Sequence, residues 1–285
     1  MVFVPRSSIP LLVICLACFA AGCTAAVSGR TDRAVESATS AQMQRVEFAA
    51  SPFILTGWQK ITRPGEAVHL YIEGDGFAWM TRTRPSADPT PKTPTGLYLA
   101  GADHGANVIY LARPCQYTPF EAPGNQGCAD SDYWLSKRFS PEIVDSYMRV
   151  LDTIAQQTGA KEFYITGYSG GANIAGLLAA RRSDITHFRT VAGNLDNDYF
   201  TRLHNVSAMP YSLNMSDSAA QLATLPQIHF IGADDETVPA EVYQSYALKA
   251  GASPCLKHQI VPGATHDDGW REAWPSLLTT SFSCP

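Results

Sequence analysis

The chain has 285 residues, 45% hydrophobic and 16% charged, which is enough apolar surface for one sizeable core. Its formal charge is −5 and its pI near 5.8, with no basic block or basic-aromatic stripe, and this excludes nucleic acid as the expected partner. The mild acidity does not select a substrate charge.

In chain order, the opening MVFVPRSSIPLLVICLACFAAGC has one early arginine, an apolar run and then small residues up to Cys23. That is the anatomy of a secretory signal over residues 1–22, and the run is too short for a good transmembrane helix. Residues 23–44, rich in Ser, Thr and Ala without an apolar period, read as a tether. Residues 45–285 show no repeat and no composition break, and read as one domain. VEFAASPFILTGWQKI predicts one or two strands, EAVHLYIEGDG a strand running into a glycine-bearing loop, and ANVIYLARPC another strand. SPEIVDSYMRVLDTIAQQTGA predicts a helix with Ser140 as N-cap, Pro141 as first residue and Gly159 near its stop. KEFYITG, THFRTVAGN, PQIHFIGADD and LKHQIVPGATH follow as strands. GANIAGLLAARRS, PAEVYQSYALKAG and DGWREAWPSLLTTSF alternate with them as helices. Such alternation predicts an α/β fold, a mostly parallel sheet with helices on both faces and ligands at the carboxyl ends of the strands.

The cysteines agree with export. Cys115, Cys128, Cys255 and Cys284 remain after the leader, an even number that allows three pairings. Proximity favours Cys115–Cys128 and Cys255–Cys284, the first worth about 3 kcal/mol by loop closure. No cysteine pair has the close spacing of a zinc site, and no metal is expected. Ala20-Ala21-Gly22-Cys23 resembles a bacterial lipobox, which implies that Cys23 carries lipid and anchors the protein to a membrane of the cell envelope.

Three strand-end loops carry candidate chemistry. In Gly167-Tyr168-Ser169-Gly170-Gly171 a serine sits between a predicted strand and helix, where a strained turn lifts Oγ above the sheet. The Gly170 amide then opens a helix and can donate to a developing oxyanion. Past the apolar strand PQIHFIG, Asp234 and Asp235 compete as the carboxylate that orients an imidazole, against a plain role in starting the helix near Pro239. His266 follows the last strand. Asp196, at the end of another strand, is a further candidate acid.

The order Ser169, Asp235, His266, each at a strand end, resembles the α/β-hydrolase superfamily of serine esterases and lipases. The motifs Gly167-x-Ser169-x-Gly171, Gly232-x-x-Asp235-x-x-Val238-Pro239 and Gly263-x-x-His266 carry the resemblance, which covers residue 50 to the end. It implies an α/β-hydrolase fold, Ser169 as nucleophile, His266 as general base, Asp235 as acid in preference to Asp234, and no cofactor. It also implies a second oxyanion donor from the amide of Asp75 or Gly76. Here the chain departs from the pattern, with Glu73-Gly74-Asp75-Gly76 where the family often has His-Gly. A carboxylate beside an oxyanion repels it, so Glu73 and Asp75 must turn away, with Arg82 and Arg84 as expected partners. Two segments, 113–140 and 193–226, are expected to flank an open pocket, their aromatics lining it or packing the loops themselves. The expected activity is hydrolysis of a small or medium carboxylic ester through an acyl-enzyme. The alternatives are a peptidase or amidase on the same residues, and a non-catalytic envelope lipoprotein on this scaffold.

Overall fold

The computed structural model describes residues 29–285, and the expected signal (1–22) and Cys23 lie outside them. Eight strands form one sheet: β1 (Gln44–Ala50), β2 (Phe53–Ile61), β3 (Val68–Ile72), β4 (Asn107–Leu111), β5 (Phe163–Tyr168), β6 (Ile185–Val191), β7 (Gln227–Gly232) and β8 (Leu256–Val261). Their order is β1-β2-β4-β3-β5-β6-β7-β8. β1, β2 and β4 pair antiparallel, and every pair from β4 to β8 is parallel. Every residue of β4 and β7 is buried, because helices cover both faces, whereas the edge strands β1 and β8 are largely exposed. The mostly parallel α/β sheet anticipated from strand–helix alternation is present.

The helices divide between two cores. α3 (Pro141–Thr158) and α4 (Gly170–Ala179) cover one face, where Ile143, Val144, Tyr147, Val150, Leu151 and Ile154 form the buried stripe expected of α3. Ser140 holds the N-cap position of α3 without a side-chain cap bond, and Gly159 closes the helix with φ of 72°. α1 (29–40), α2 (Thr95–Gly101) and α8 (Trp270–Leu277) cover the other face, through Ala34, Ala38, Leu97, Trp270 and Trp274. α5 (Asn197–Leu203), α6 (Ala219–Leu222) and α7 (Ala240–Ala250) complete the α-helices of the described residues.

The expected tether is corrected by α1. Residues 29–40 are helical, Ala34 and Ala38 are fully buried, and Arg30 donates to the carbonyls of Asp88 (3.2 Å) and Thr90 (2.7 Å). Small alanines allow this helix to lie close against the body without an apolar stripe that a hydrophobic period would reveal. Among the described residues Cys115–Cys128 and Cys255–Cys284 form disulfides, the pairings that proximity favours. No helix among the described residues is long and apolar enough to cross a membrane.

Candidate active site

Ser169 stands between β5 and α4 with φ of 50° and ψ of −122°, a conformation that costs a non-glycine residue on the order of 1–3 kcal/mol. The turn is tight enough to exclude side chains on either side. A Cβ on Gly167 would lie 2.5 Å from the Ala172 Cα, and one on Gly171 would lie 2.4 Å from the carbonyl oxygens of Ile72 and Glu73. The elbow is held by its own backbone as well: Ser169 N–H donates to Val191 O, and Ser169 O accepts from Ala172 and Asn194 N–H.

At the end of β8, His266 brings Nε2 to 2.9 Å from Ser169 Oγ. Its Nδ1 lies 3.0 Å from Asp235 Oδ2, at the end of β7. An ionised carboxylate only accepts, so Nδ1 carries the proton and Nε2 is left to accept from the serine hydroxyl. Asp235 is held in turn: its side chain is buried, and Oδ1 accepts from the N–H groups of Thr237 (2.9 Å) and Val238 (2.8 Å). The His266 carbonyl accepts from Tyr168 O–H at 3.0 Å and Trp270 Nε1–H at 3.1 Å, which fixes the loop behind the ring. The structure therefore brings Ser169, His266 and Asp235 into one hydrogen-bonded chain.

The other candidate acids lie apart from this chain. Asp234 is exposed. The buried Asp196 carboxylate accepts from Asn214 (3.0 Å), Ser245 (2.7 Å) and Tyr199 N–H (3.2 Å) and pairs with Lys249 at 2.8 Å. Burial alone would raise its pKa, but Lys249, Asn214 and Ser245 outweigh it and hold the carboxyl at about 2. Asp196 braces α5 and α7, and its contacts do not include His266.

Both acids of the Glu73-Gly74-Asp75-Gly76 loop are turned to other partners, and these are not the expected Arg82 and Arg84, which are exposed. Glu73 is buried and takes N–H bonds from Gly74 (3.0 Å) and Gly96 (3.1 Å) and the Tyr110 hydroxyl (2.9 Å). Burial pushes its carboxyl above the usual range, against the pull of those donors. Glu73 thus ties the loop to the first turn of α2. Asp75 meets Arg113 Nη1 at 2.9 Å through Oδ1 and Arg138 Nε at 3.0 Å through Oδ2. Two guanidinium groups on one carboxylate leave net positive charge beside the turn, which removes the repulsion expected of an acid at this position. Arg113 also donates to the Arg138 carbonyl, and both stack on the Phe139 ring. Gln116 reaches the Gly74 carbonyl at 3.2 Å.

These contacts revise the part assigned to segment 113–140. None of its residues lines the cleft at Ser169. Its aromatics pack the fold instead: Tyr117 on Trp58, Tyr133 on Phe53 and Phe120 on Trp134. The segment backs the Asp75 loop from behind. The second segment, 193–226, does reach the cleft through Asn194 and Phe200. The cleft is open, about 500 Å³, and is also lined by Phe77, Lys92, Val238 and Asp267. Lys92 Nζ sits 3.9 Å from the centre of the Phe77 ring, a cation–π contact at the mouth. Arg113, Arg138, Asn194 and Phe200 escaped the reading of the sequence; the one signal available was that Arg113 falls two residues past the end of β4. Among the described residues no group of three or more His, Cys, Asp or Glu is placed to hold a metal ion.

No protein-family model matches the chain, and no curated protein matches its sequence. Solved structures do match its fold. Est1E from Butyrivibrio proteoclasticus superimposes with a TM-score of 0.54 at 13% identity, over 82% of this chain and 97% of that one. The Pyrococcus furiosus esterase Pf2001 gives 0.56 at 14% identity, over 83% and 90%. The Pyrococcus horikoshii acylaminoacyl peptidase gives 0.57 at 13% identity over 83% of this chain but only 39% of its own. At these identities the likeness establishes the fold, which is that of the α/β hydrolases.

Proposed function

We propose that this protein is a serine hydrolase that cleaves a small or medium carboxylic ester, or a related acyl bond, through an acyl-enzyme. The observation that carries the reading is the hydrogen-bonded chain Ser169–His266–Asp235, 2.9 and 3.0 Å, at three strand ends of an α/β-hydrolase fold. Ser169 Oγ attacks the carbonyl carbon as its proton passes to His266 Nε2, and the carbonyl π pair moves to the oxygen. Asp235 holds the imidazole in the required tautomer and stabilises it when charged. The tetrahedral intermediate collapses, and the leaving alkoxide takes the proton from His266. Water then repeats the sequence on the acyl-serine and releases the carboxylic acid.

The amide of Gly170, at the start of α4, and the amide of Asp75 or Gly76 receive the oxyanion. One such donor is worth about 3 kcal/mol of transition-state stabilisation. The paired Arg113 and Arg138 let the Asp75 amide serve although its side chain is an acid. No cofactor enters the scheme. The test is turnover of p-nitrophenyl esters of increasing chain length by the native protein and by Ser169→Ala. Activity that declines with acyl length and is lost in the variant supports the reading; equal turnover by both proteins refutes it.

The location belongs to the same proposal. The leader and its cysteine favour export with lipid on Cys23, and two disulfides suit an oxidising compartment. The mass of the N-terminal peptide of the mature protein tests this, a lipidated Cys23 supporting it and an unmodified terminus refuting it.

A further inference from the structure

Trp79-Met80-Thr81-Arg82-Thr83-Arg84-Pro85 folds back on itself beside the cleft. Trp79 bridges Pro85, Met80 N–H donates to Arg84 O at 2.8 Å, and Thr81 Oγ1 accepts from Arg84 N–H at 3.1 Å. Its foot is fastened to the body, with Ser86 N–H on Ala78 O at 2.9 Å and Trp134 Nε1–H on Ser86 O at 3.2 Å. The tip is a fixed hairpin, and it projects apolar surface into solvent: Trp79 is 41% and Met80 49% exposed. The other four tryptophans of the chain, at 58, 134, 270 and 274, are 6% exposed or less. Arg82 and Arg84 are exposed on the same turn, and neither enters any salt bridge formed among the described residues. A tryptophan and a methionine flanked by free arginines match the chemistry of a bilayer interface. The indole prefers the headgroup level, the thioether the acyl boundary, and guanidinium groups the lipid phosphates.

The chain's geometry puts this hairpin where a membrane would meet it. α1 begins against the same loop: Arg30 pairs with Asp88 and lies over the Phe77 ring, and Arg33 donates to Lys92 O at 3.0 Å. From Cys23 to residue 29 there are six residues, which span at most about 20 Å when fully extended. A lipid on Cys23 therefore holds the 77–92 loop close to the bilayer. Phe77 and Lys92, on the two limbs of that loop, line the cleft at Ser169.

We propose that the 79–85 hairpin is a membrane-docking element for an anionic phospholipid surface. Trp79 and Met80 enter the interface, Arg82 and Arg84 lie among the phosphates, and the mouth of the cleft is held toward the bilayer. The proposal rests on the membrane location proposed above and not on the chemistry of Ser169.

Trp79 is itself the reporter. The full chain, associated with phosphatidylglycerol vesicles containing brominated acyl chains, is expected to lose part of its tryptophan emission. The loss should vanish in Trp79→Phe, fall on phosphatidylcholine, and fall in the double variant Arg82→Gln/Arg84→Gln, each arginine contributing about fivefold to docking. Turnover of a water-soluble short ester by these variants should stay unchanged. Trp79 emission that remains accessible to aqueous iodide and insensitive to brominated lipid on anionic vesicles overturns the proposal, as it would if the hairpin met a protein partner instead. The mass of the N-terminal peptide in the same samples separates a failure of docking from a failure of the membrane location on which it rests, a lipidated Cys23 with no quenching of Trp79 counting against the hairpin alone.

Discussion

Gly170→Ala puts the coupling between the elbow and the Asp75 loop under direct strain. A Cβ at this position would lie 2.1 Å from Asp75 Oδ1 and 2.6 Å from its Cγ. Ordinary contact needs about 3.4 Å, so the carboxylate must retreat by about 1 Å. It is a short side chain, and Arg113 and Arg138 hold it at 2.9 and 3.0 Å, so the shift passes to the loop backbone or breaks those pairs. Overpacking of this kind costs about 1–3 kcal/mol of stability. A 1 Å displacement of a proposed oxyanion donor costs on the order of 10²-fold in kcat. The assay is ester turnover beside thermal unfolding, with kcat falling far more than KM rises. Asp75→Ala removes the obstacle, so the Gly170→Ala defect should shrink when added to that background. Native kcat and stability in Gly170→Ala would refute the placement of Asp75 against the elbow.

Asp235→Asn should lower kcat by about 10³- to 10⁴-fold, since the amide no longer orients the charged imidazole, whereas Asp196→Asn should leave kcat near native and cost about 2 kcal/mol in denaturant unfolding. Glu73→Ala leaves two buried N–H groups and the Tyr110 hydroxyl without an acceptor and should cost about 3–6 kcal/mol, while Glu73→Gln retains an acceptor for both N–H groups and should cost about 1 kcal/mol, both read from unfolding curves. Burial depresses the His229 pKa from 6.5 to about 3, so the unfolded chain takes up a proton that the native state refuses. Stability from this group is complete above pH 6.5 and falls by about 1.4 kcal/mol per pH unit from there toward pH 3, a slope that His229→Gln should remove from the pH dependence of unfolding.

Ser169, Asp235 and His266 were legible because each stands in a local pattern, an apolar strand followed by a turn with a distinctive residue. The topology then makes neighbours of the strand ends, and chain order identifies which loops meet. The partners of Asp75 left no such trace. Arg113 lies on another strand end and Arg138 beyond the Cys115–Cys128 loop, and no spacing rule links either to residue 75. In sequence α1 resembles a tether because its buried face is alanine, which carries little hydropathy. α2 was concealed by the prolines before it, although Pro94 stands just where a helix can begin. The disulfides were recoverable from proximity along the chain. Position 73 shows how a family pattern misleads when read by residue type. The acid there is a buried acceptor for the first turn of α2 and for the Tyr110 hydroxyl.

The proposed reaction stands on Ser169 being a nucleophile activated by His266. It is tested most directly by treating the protein with a fluorophosphonate and locating the adduct by peptide mass. One adduct is expected, on Ser169, formed at a rate that falls by orders of magnitude in His266→Ala and absent in Ser169→Ala. A folded native protein that takes no label, or takes it on another residue, would contradict it.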